Sequence, residues 1–235
     1  MGQFTYIDIY ATKGIEYLIV IGFLFTLIAF WRFLNVSKLK PISNAVFEGI
    51  RKLSELIEGF LIPDGVYFHP GHTWVKVEDN DLVTIGMDDF AQKMVGDVSA
   101  IELPPVGSFV RQGDKGWMLN VDSKYIDMLS PVDGEVVSIN QGIKNSPDSV
   151  NKDSYGEGWL MKVRVPDLKI NLKNLLSGNL AKKWITDASE NLRLRINHDA
   201  GLVYQDGGLP VKGIAKNLNP DKWDEIAKEF FLTKE

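Results

Sequence analysis

A single lysine lies where two short strands of alternating apolar residues are predicted to meet in a tight hairpin. The strands are residues 116–122 and 125–129, and Lys124 stands between them. Because strand side chains alternate between the two faces of a sheet, four apolar residues share one face: Leu119, Val121, Ile126 and Met128. An exposed primary amine on such a hairpin is open to acylation, which can attach a cofactor to a protein. The alternative is a solvated turn lysine without a chemical role.

The apolar pattern also predicts the register of this hairpin. We place Ser123 and Lys124 at the centre of a two-residue loop, so that Asp122 faces Tyr125. A shift by one residue would pair apolar with polar side chains, so we expect the register to be fixed. Asp122 then opens the turn and Asp127 flanks it, where both carboxylates could guide a modifying enzyme. The alternative for Asp122 is turn chemistry alone, because its side chain can bond the backbone ahead of it. The turn type stays open, because Ser-Lys is not a pair that favours the commonest hairpin turns.

The composition excludes several classes of chemistry. The chain has 235 residues, a net charge of −5 and no cysteine. It therefore has no disulfide, zinc–thiolate site or cysteine nucleophile, and its mild acidic charge gives no sign of nucleic-acid binding. His69 and His72 lack a nearby third ligand, so we predict structural histidines and no metal site. No phosphate-binding glycine motif or catalytic triad spacing is present, which argues against an enzyme.

The N-terminal region predicts a membrane anchor. A tail at 1–16 is followed by residues 17–31, which are uncharged and mostly apolar. A spanning helix needs roughly 20 residues, and extension of the run to residue 36 supplies them if the Arg32 side chain reaches the lipid headgroups. The alternative is a helix buried in a soluble core. The predicted transmembrane helix is 17–36, and basic residues follow its uncharged run 17–31: Arg32, Lys38, Lys40, Arg51 and Lys52. The positive-inside rule then predicts a single-pass protein of the inner (cytoplasmic) membrane, with its N-terminus outside and its soluble domain in the cytoplasm.

Helical spacing returns on both sides of a central β-rich region. Apolar residues at 44–61 predict an amphipathic linker helix within residues 37–64. A helical C-terminal extension at 167–235 is indicated by apolar residues that step by four: Leu176, Leu180, Trp184, Ala188 and Leu192. Asn219 and Pro220 are a suitable cap and first-turn pair for its last helix.

Residues 65–166 are dominated by a period of two, which indicates strands. The predicted strands are 74–77, 82–86, 108–111, 116–122, 125–129, 135–139 and 159–165. A short helix is predicted at 89–95, beginning at Asp88 and Asp89, whose carboxylates favour exposed N–H groups. Many short strands separated by turn residues indicate a compact all-β sandwich or barrel.

Several sequence blocks in residues 67–164 resemble the glycine cleavage system H protein, a lipoyl carrier. They are His-Thr-Trp-Val at 72–75, Val-Thr-Ile-Gly at 83–86, Phe-Ala-Gln at 90–92, Gly-Asp at 96–97, Glu-Leu-Pro-Pro-Val-Gly at 102–107, Ser-Pro-Val-Asp-Gly-Glu-Val at 130–136, Asn-Ser-Pro-Asp-Ser-Val-Asn at 145–151 and Tyr-Gly-Glu-Gly-Trp-Leu at 155–160. The resemblance implies a mainly β fold of the biotinyl/lipoyl-carrier type, a barrel-sandwich hybrid. Hydropathy and periodicity add the transmembrane helix before it and the α-helical additions around it.

The chain departs from the family pattern at the lysine itself. The family run is similar to Val-Glu-Ser-Val-Lys-Ala-Ala-Ser-Asp, whereas residues 121–127 read Val-Asp-Ser-Lys-Tyr-Ile-Asp, two residues shorter. Removal of one residue from each arm keeps Lys124 in the turn. An ungapped count back from Pro131 puts Ser123 at the position of the family lysine instead. The hairpin is therefore either shortened with Lys124 still modifiable, or part of a domain that has lost its acceptor.

Two functions follow from the resemblance. The first is a membrane-anchored lipoyl carrier that presents Lys124 to redox or one-carbon partners at the cytoplasmic face, after modification by a lipoate ligase. The tether turns encounters between redox centres into nearly intramolecular steps. The second is an unmodified H-like scaffold or accessory subunit of an inner-membrane complex. Both expect protein partners and a membrane, and neither expects catalysis by the chain itself.

Overall fold

The computed structural model describes residues 9–36, 56–200 and 210–233. The chain divides into two compact units, residues 1–53 and 54–235. In the first unit, helix α1 (Ile9–Val36) contains the whole of the long apolar run. Its described large apolar side chains are exposed, from Tyr17 at 67 % to Phe30 at 60 %. The sequence thus forms a helix there, as predicted, and its described large apolar side chains are exposed.

The transmembrane prediction for residues 17–36 falls entirely on α1. Over the residues that the structure describes, no helix combines the length and apolar character needed to cross a membrane. The membrane role of this segment stays a prediction. The tail at 1–8 lies outside the described residues.

The second unit contains strands with short helices between and after them. Its strands are β1 (Leu56–Ile57), β2 (Phe60–Leu61), β3 (Tyr67–His69), β4 (Thr73–Val77), β5 (Leu82–Met87), β6 (Ala100–Glu102), β7 (Phe109–Val110), β8 (Lys115–Val121), β9 (Lys124–Leu129), β10 (Gly134–Ile139) and β11 (Met161–Arg164). Its described helices are α2 (Asp89–Val95), α3 (Gln141–Asn145), α4 (Ser149–Lys152), α5 (Leu168–Lys173), α6 (Gly178–Ala200), α7 (Ile214–Leu218) and α8 (Trp223–Phe230).

Two antiparallel sheets enclose the core of this unit. One sheet has six strands in the order β3-β4-β5-β11-β10-β7, and the other has three in the order β6-β8-β9. Apolar side chains of both sheets belong to one buried cluster, with Trp74 and Trp117 among its largest members. The Trp74 Nε1–H donates to the carbonyl oxygens of Met87 at 2.9 Å and Ser154 at 3.0 Å. The predicted mainly β architecture is confirmed, with four short strands, β1, β2, β3 and β6, added to those predicted.

The predicted linker helix is wrong over its described part. Residues 37–55 lie outside the described residues, but β1 and β2 form an antiparallel hairpin in which Leu56 pairs with Leu61. The turn between them has positive φ angles at Glu58 (53°) and Gly59 (83°), a left-handed conformation that a helix does not contain. Glycine supplies that conformation without steric cost, and the helical spacing of apolar residues did not reveal it.

The two helix starts named from the sequence have different outcomes. Helix α2 spans the predicted 89–95, and the Asp88 carboxylate accepts a hydrogen bond from the Ala91 N–H at 2.8 Å, as an N-cap does. Helix α8 begins at Trp223 rather than at Pro220. The Asn219 side chain instead accepts from the N–H groups of two following residues, which stabilises a turn before the helix. Helix α6 confirms the predicted helix over four of the five apolar residues that step by four. Ala188 and Leu192 are buried, whereas Leu180 is 61 % exposed, and Leu176 precedes the helix and forms an isolated bridge with Phe68.

Candidate functional site

The hairpin that contains Lys124 is formed by β8 and β9, but its turn lies one residue earlier than predicted. Val121 pairs with Lys124 and Leu119 pairs with Ile126, so the two-residue loop is Asp122-Ser123. Both loop residues have positive φ angles, 49° and 63°, as the first of the two commonest hairpin turn types requires. Lys124 is therefore the first residue of β9 and not a turn residue. The predicted register, with Ser123 and Lys124 in the loop, is wrong.

The apolar pattern could not have distinguished these two registers. In the two registers the cross-strand partner of each residue differs by two positions, and the direction of strand side chains repeats every two residues. Both registers therefore put the same four apolar side chains on the core face, where Leu119, Val121, Ile126 and Met128 are all fully buried. The deciding feature is local, because an aspartate tolerates the left-handed conformation better than most residues do.

The position in β9 determines the direction of the Lys124 side chain. Lys124 lies opposite Val121 and shares a face with Ile126, so it extends along the edge of the buried face and not straight into solvent. Its side chain is 35 % exposed. A partly exposed amine on a strand end is chemically accessible in principle, but it also lies within reach of whatever packs beside the sheet.

Helix α8 and the turn before it pack there and contact the amine in three ways. The Lys124 Nζ donates to the Asp224 carboxylate at 2.5 Å and to the Asp221 carbonyl oxygen at 2.7 Å. It also lies 5.6 Å from the centroid of the Trp223 ring, within the range of a cation–π interaction. The lysine predicted as the acceptor is therefore already bonded to residues about a hundred positions further along the chain.

The charges around Asp224 favour its ionised form. Partial burial tends to raise the pKa of this carboxyl, but the hydrogen bond and charge of Lys124, with the charge of Lys228, hold the pKa below its ordinary value of 3.8. The second carboxylate oxygen lies 3.6 Å from the Lys228 Nζ, one helical turn along α8. Asp224 therefore stays negative at neutral pH and presents a permanent counter-charge to the amine.

The other predicted site residues occupy different surroundings. Asp122 forms an ion pair with Lys216 of α7, so this turn residue also bonds the C-terminal region. Asp127 pairs across the hairpin with Lys115 at 2.6 Å, away from the turn. Ser123 is exposed at the turn. The structure thus brings Asp122 and Lys124 together on one side of the hairpin and separates Asp127 from them.

The sequence did not reveal the partners of the hairpin in the C-terminal region. Trp223, Asp224 and Lys216 were seen only as parts of a helical extension, although the amphipathic spacing of α8 did predict a packed face. The face is real, since Trp223, Ile226, Ala227 and Phe231 are buried. Only the tertiary contact identifies what this face packs on, because helical periodicity carries no information about a distant partner.

Of the two histidines predicted to be structural, His72 lies in the core next to α2 and His69 is half-buried. His72 is 1 % exposed, its Nδ1 is 2.9 Å from the Asp88 carboxylate, and its ring stacks on Phe90 at 4.1 Å. His69 Nδ1 accepts from the Gly71 N–H at 3.0 Å, and burial together with the nearby His72 lowers the pKa of His69. Among the residues that the structure describes, no group of three metal-ligating side chains occurs.

Together, a mainly β fold of two sheets around one core and a β-hairpin with a lysine beside its tight turn define a cofactor-carrier type of domain. Comparison with known proteins identifies the family. The family model described as glycine cleavage H-protein matches residues 66–188. The chain belongs to this family, and its matched part is an H-like lipoyl-carrier domain rather than a catalytic one. A second model, described only as protein, matches residues 8–37.

The alignments with relatives span most of each relative's length and about half of this chain. The glycine cleavage system H protein of Coprothermobacter proteolyticus is 37 % identical over 122 residues, which are 52 % of this chain and 95 % of that protein. The H protein of Rubrobacter xylanophilus is 42 % identical over 110 residues, 46 % of this chain and 86 % of that protein. A crystal structure of the Mycobacterium marinum H protein aligns with a TM-score of 0.47 at 23 % identity, covering 54 % of this chain and 98 % of that one.

Proposed function

We propose that Lys124 is the acceptor lysine of this domain and that the protein is a membrane-anchored lipoyl carrier. The observation that carries the proposal is the position of Lys124, directly after the two-residue turn of a β-hairpin in an H-protein family domain. Its amine is of the right chemical type, and 35 % of the side chain is exposed. The shortened tip keeps a lysine beside the turn even though the family run around it is not kept.

Attachment is an acyl transfer to nitrogen. Lys124 Nζ would form an amide bond with the acyl carbon of an activated donor of the acyl-adenylate class. The carbon–oxygen bond to the phosphate breaks, the nucleotide leaves, and the ammonium gives up two protons. The bound group supplies reversible dithiolane redox chemistry, and the domain supplies the tether and the docking surface for partner proteins.

Intact mass spectrometry of the natively purified protein tests this proposal. From a host with a lipoate ligase, we expect a mass increment equal to one lipoyl group, absent from Lys124→Arg. The matched control is Lys115→Arg, because Lys115 lies at the far end of the same hairpin and is 54 % exposed. An unmodified mass from such a host, or an increment that survives Lys124→Arg, overturns Lys124 as the acceptor.

A second function, an unmodified scaffold or accessory subunit of a membrane complex, is favoured by one observation. The Lys124 amine already has a carboxylate and a carbonyl oxygen as hydrogen-bond partners within the chain. In that case Lys124 contributes to the packing of the C-terminal region and nothing else. Co-purification in mild detergent separates the two functions, because a carrier should retain redox or one-carbon enzymes only when modified, whereas a scaffold retains its partners in the Lys124→Arg variant.

For localisation, we propose attachment to the inner membrane through α1, with the second unit in the cytoplasm. The support is the run of exposed apolar side chains on α1 and the basic residues that follow it in the sequence. Alkaline carbonate extraction of membranes should leave the full chain in the pellet, and a reporter fused after Glu235 should report a cytoplasmic position. Complete release by carbonate, or a periplasmic reporter signal, contradicts this proposal.

A further inference from the structure

We propose that the C-terminal residues 214–231, here called the C-terminal clasp, control access to the Lys124 amine. The clasp comprises α7 and α8 and bonds the charged amine directly. In the unmodified protein the clasp shields Lys124 from acylating reagents. Acylation removes the charge of the amine and so weakens the contact between the clasp and the hairpin. The second half of this proposal rests on the proposed modification of Lys124, whereas the first half does not.

The amine is nearly saturated with partners. A lysine ammonium has three N–H donors, and here one is taken by the Asp224 carboxylate and one by the Asp221 carbonyl oxygen. The Lys124 Nζ also lies 5.6 Å from the centroid of the Trp223 ring, and Trp223 is only 3 % exposed. An incoming acyl group must take the place of these hydrogen bonds, so the amine has to leave Asp224 and the Asp221 carbonyl oxygen before the amide can form.

A second ion pair holds the clasp to the same hairpin. Lys216 of α7 pairs with the Asp122 carboxylate in the turn, and its Nζ lies 5.2 Å from the centroid of the Trp223 ring. The two lysines, one from the hairpin and one from the clasp, therefore share one tryptophan ring. The contact is reciprocal, with a lysine and an aspartate contributed from each side.

The clasp is anchored independently of these ion pairs. Its apolar residues Ile214, Ala215, Trp223, Ile226, Ala227 and Phe231 are buried. The Gly213 N–H, just before the clasp, donates to the Lys93 carbonyl oxygen of α2 at 2.8 Å, and the Phe230 ring lies 5.5 Å from that of Phe90. Loss of the Lys124 contact should therefore loosen the hairpin side of the clasp and leave its attachment to α2 in place.

Acylation changes the chemistry of this contact. An amide nitrogen carries no charge and keeps one N–H, so the Asp224 carboxylate, 19 % exposed, would lose its nearest counter-charge and retain Lys228 at 3.6 Å. The tryptophan ring also loses a cation. The clasp lies beyond residues 66–188, the part that the H-protein family model matches, so this control is an addition to the carrier domain.

The first test measures acylation of each lysine in the unmodified full chain by N-hydroxysuccinimide acetate, followed by peptide mass spectrometry. Lys183, 69 % exposed, is the internal reference. We expect Asp224→Asn to raise the Lys124 rate relative to Lys183 by roughly fivefold, the scale of one partly exposed ion pair. Glu225→Gln, the same loss of charge at the next position of α8, should leave the ratio unchanged. If the ratio of the Lys124 rate to the Lys183 rate is the same in wild type and in Asp224→Asn, the proposal is overturned.

The second test follows backbone hydrogen exchange in the clasp. Lys124→Gln imitates the loss of charge and Lys124→Arg keeps the charge. We expect amides of residues 224–231 to exchange faster in Lys124→Gln than in Lys124→Arg, with α2 unchanged in both as a check on folding. Equal exchange in the two variants rejects release on neutralisation. Neither test needs a lipoyl group, so the two proposals can fail separately. A missing mass increment in cells would overturn the lipoyl carrier and leave the clasp proposal standing. A lipoylated protein whose Lys124 to Lys183 rate ratio is the same in wild type and Asp224→Asn would overturn the clasp proposal and leave the carrier standing.

Discussion

At the scale of single residues, the carboxylate of Asp88 links the helix cap to the core histidine. One oxygen accepts from the Ala91 N–H at 2.8 Å and the other lies 2.9 Å from His72 Nδ1, and the side chain is fully buried. The sequence predicted the cap from two adjacent aspartates before an apolar run. It did not predict the histidine partner, because a contact between residues 16 positions apart depends on the strands that bring them together.

Removal of this carboxylate should destabilise the domain. We expect Asp88→Ala to lower the free energy of unfolding by about 2–4 kcal/mol, because it removes an N-cap and leaves buried polar groups without a partner. Urea denaturation followed by circular dichroism measures the change. The control is Asp81→Ala, since the Asp81 carboxylate is 54 % exposed and pairs only loosely with Arg164 at 3.5 Å. Similar losses in both variants would contradict the role given to Asp88.

At the scale of elements, the sequence predicted most strands and α2 but not how the elements meet. Period-two patterns identify a strand, and the same period leaves a hairpin register open to a shift by two, as the Lys124 hairpin demonstrates. Helical spacing predicted α6 and α8, whereas at 56–61 it predicted a helix where Glu58 and Gly59 turn the chain into a hairpin. In both cases the deciding residues adopt positive φ, which periodicity does not encode.

The contact between α8 and β9 should respond to acid. The folded-state pKa of Asp224 lies below its ordinary value, so its ion pair contributes stability above about pH 4, and this stability is lost as the pH falls through the folded-state pKa. We expect wild type to be more stable than Asp224→Asn at about pH 6 and this difference to shrink towards about pH 3. Urea denaturation at several pH values measures it, with Glu225→Gln as the control. A difference that stays constant down to about pH 3 would be incompatible with the assigned ion pair.

At the scale of the whole molecule, the chain consists of a part that matches the family and of segments added before and after it. Residues 66–188 carry the H-protein match, while α1 precedes it and the C-terminal clasp follows it. The sequence motifs predicted the fold of the matched part because they concentrate there. They could not predict that an added segment would bond Lys124, the proposed acceptor, since no motif of the family lies in residues 214–231.

The two compact units should also be separable by experiment. Residues 54–235 contain both sheets and the clasp within one unit. We therefore expect a fragment of residues 54–235 to unfold in one cooperative transition with a midpoint close to that of the full chain in detergent, measured by thermal denaturation. Because the apolar side chains of α1 are then absent, the fragment should remain in the supernatant when membranes are sedimented. A fragment that aggregates, or that melts well below the full chain, would mean that residues 1–53 contribute to the folded core and do not serve only as an attachment segment.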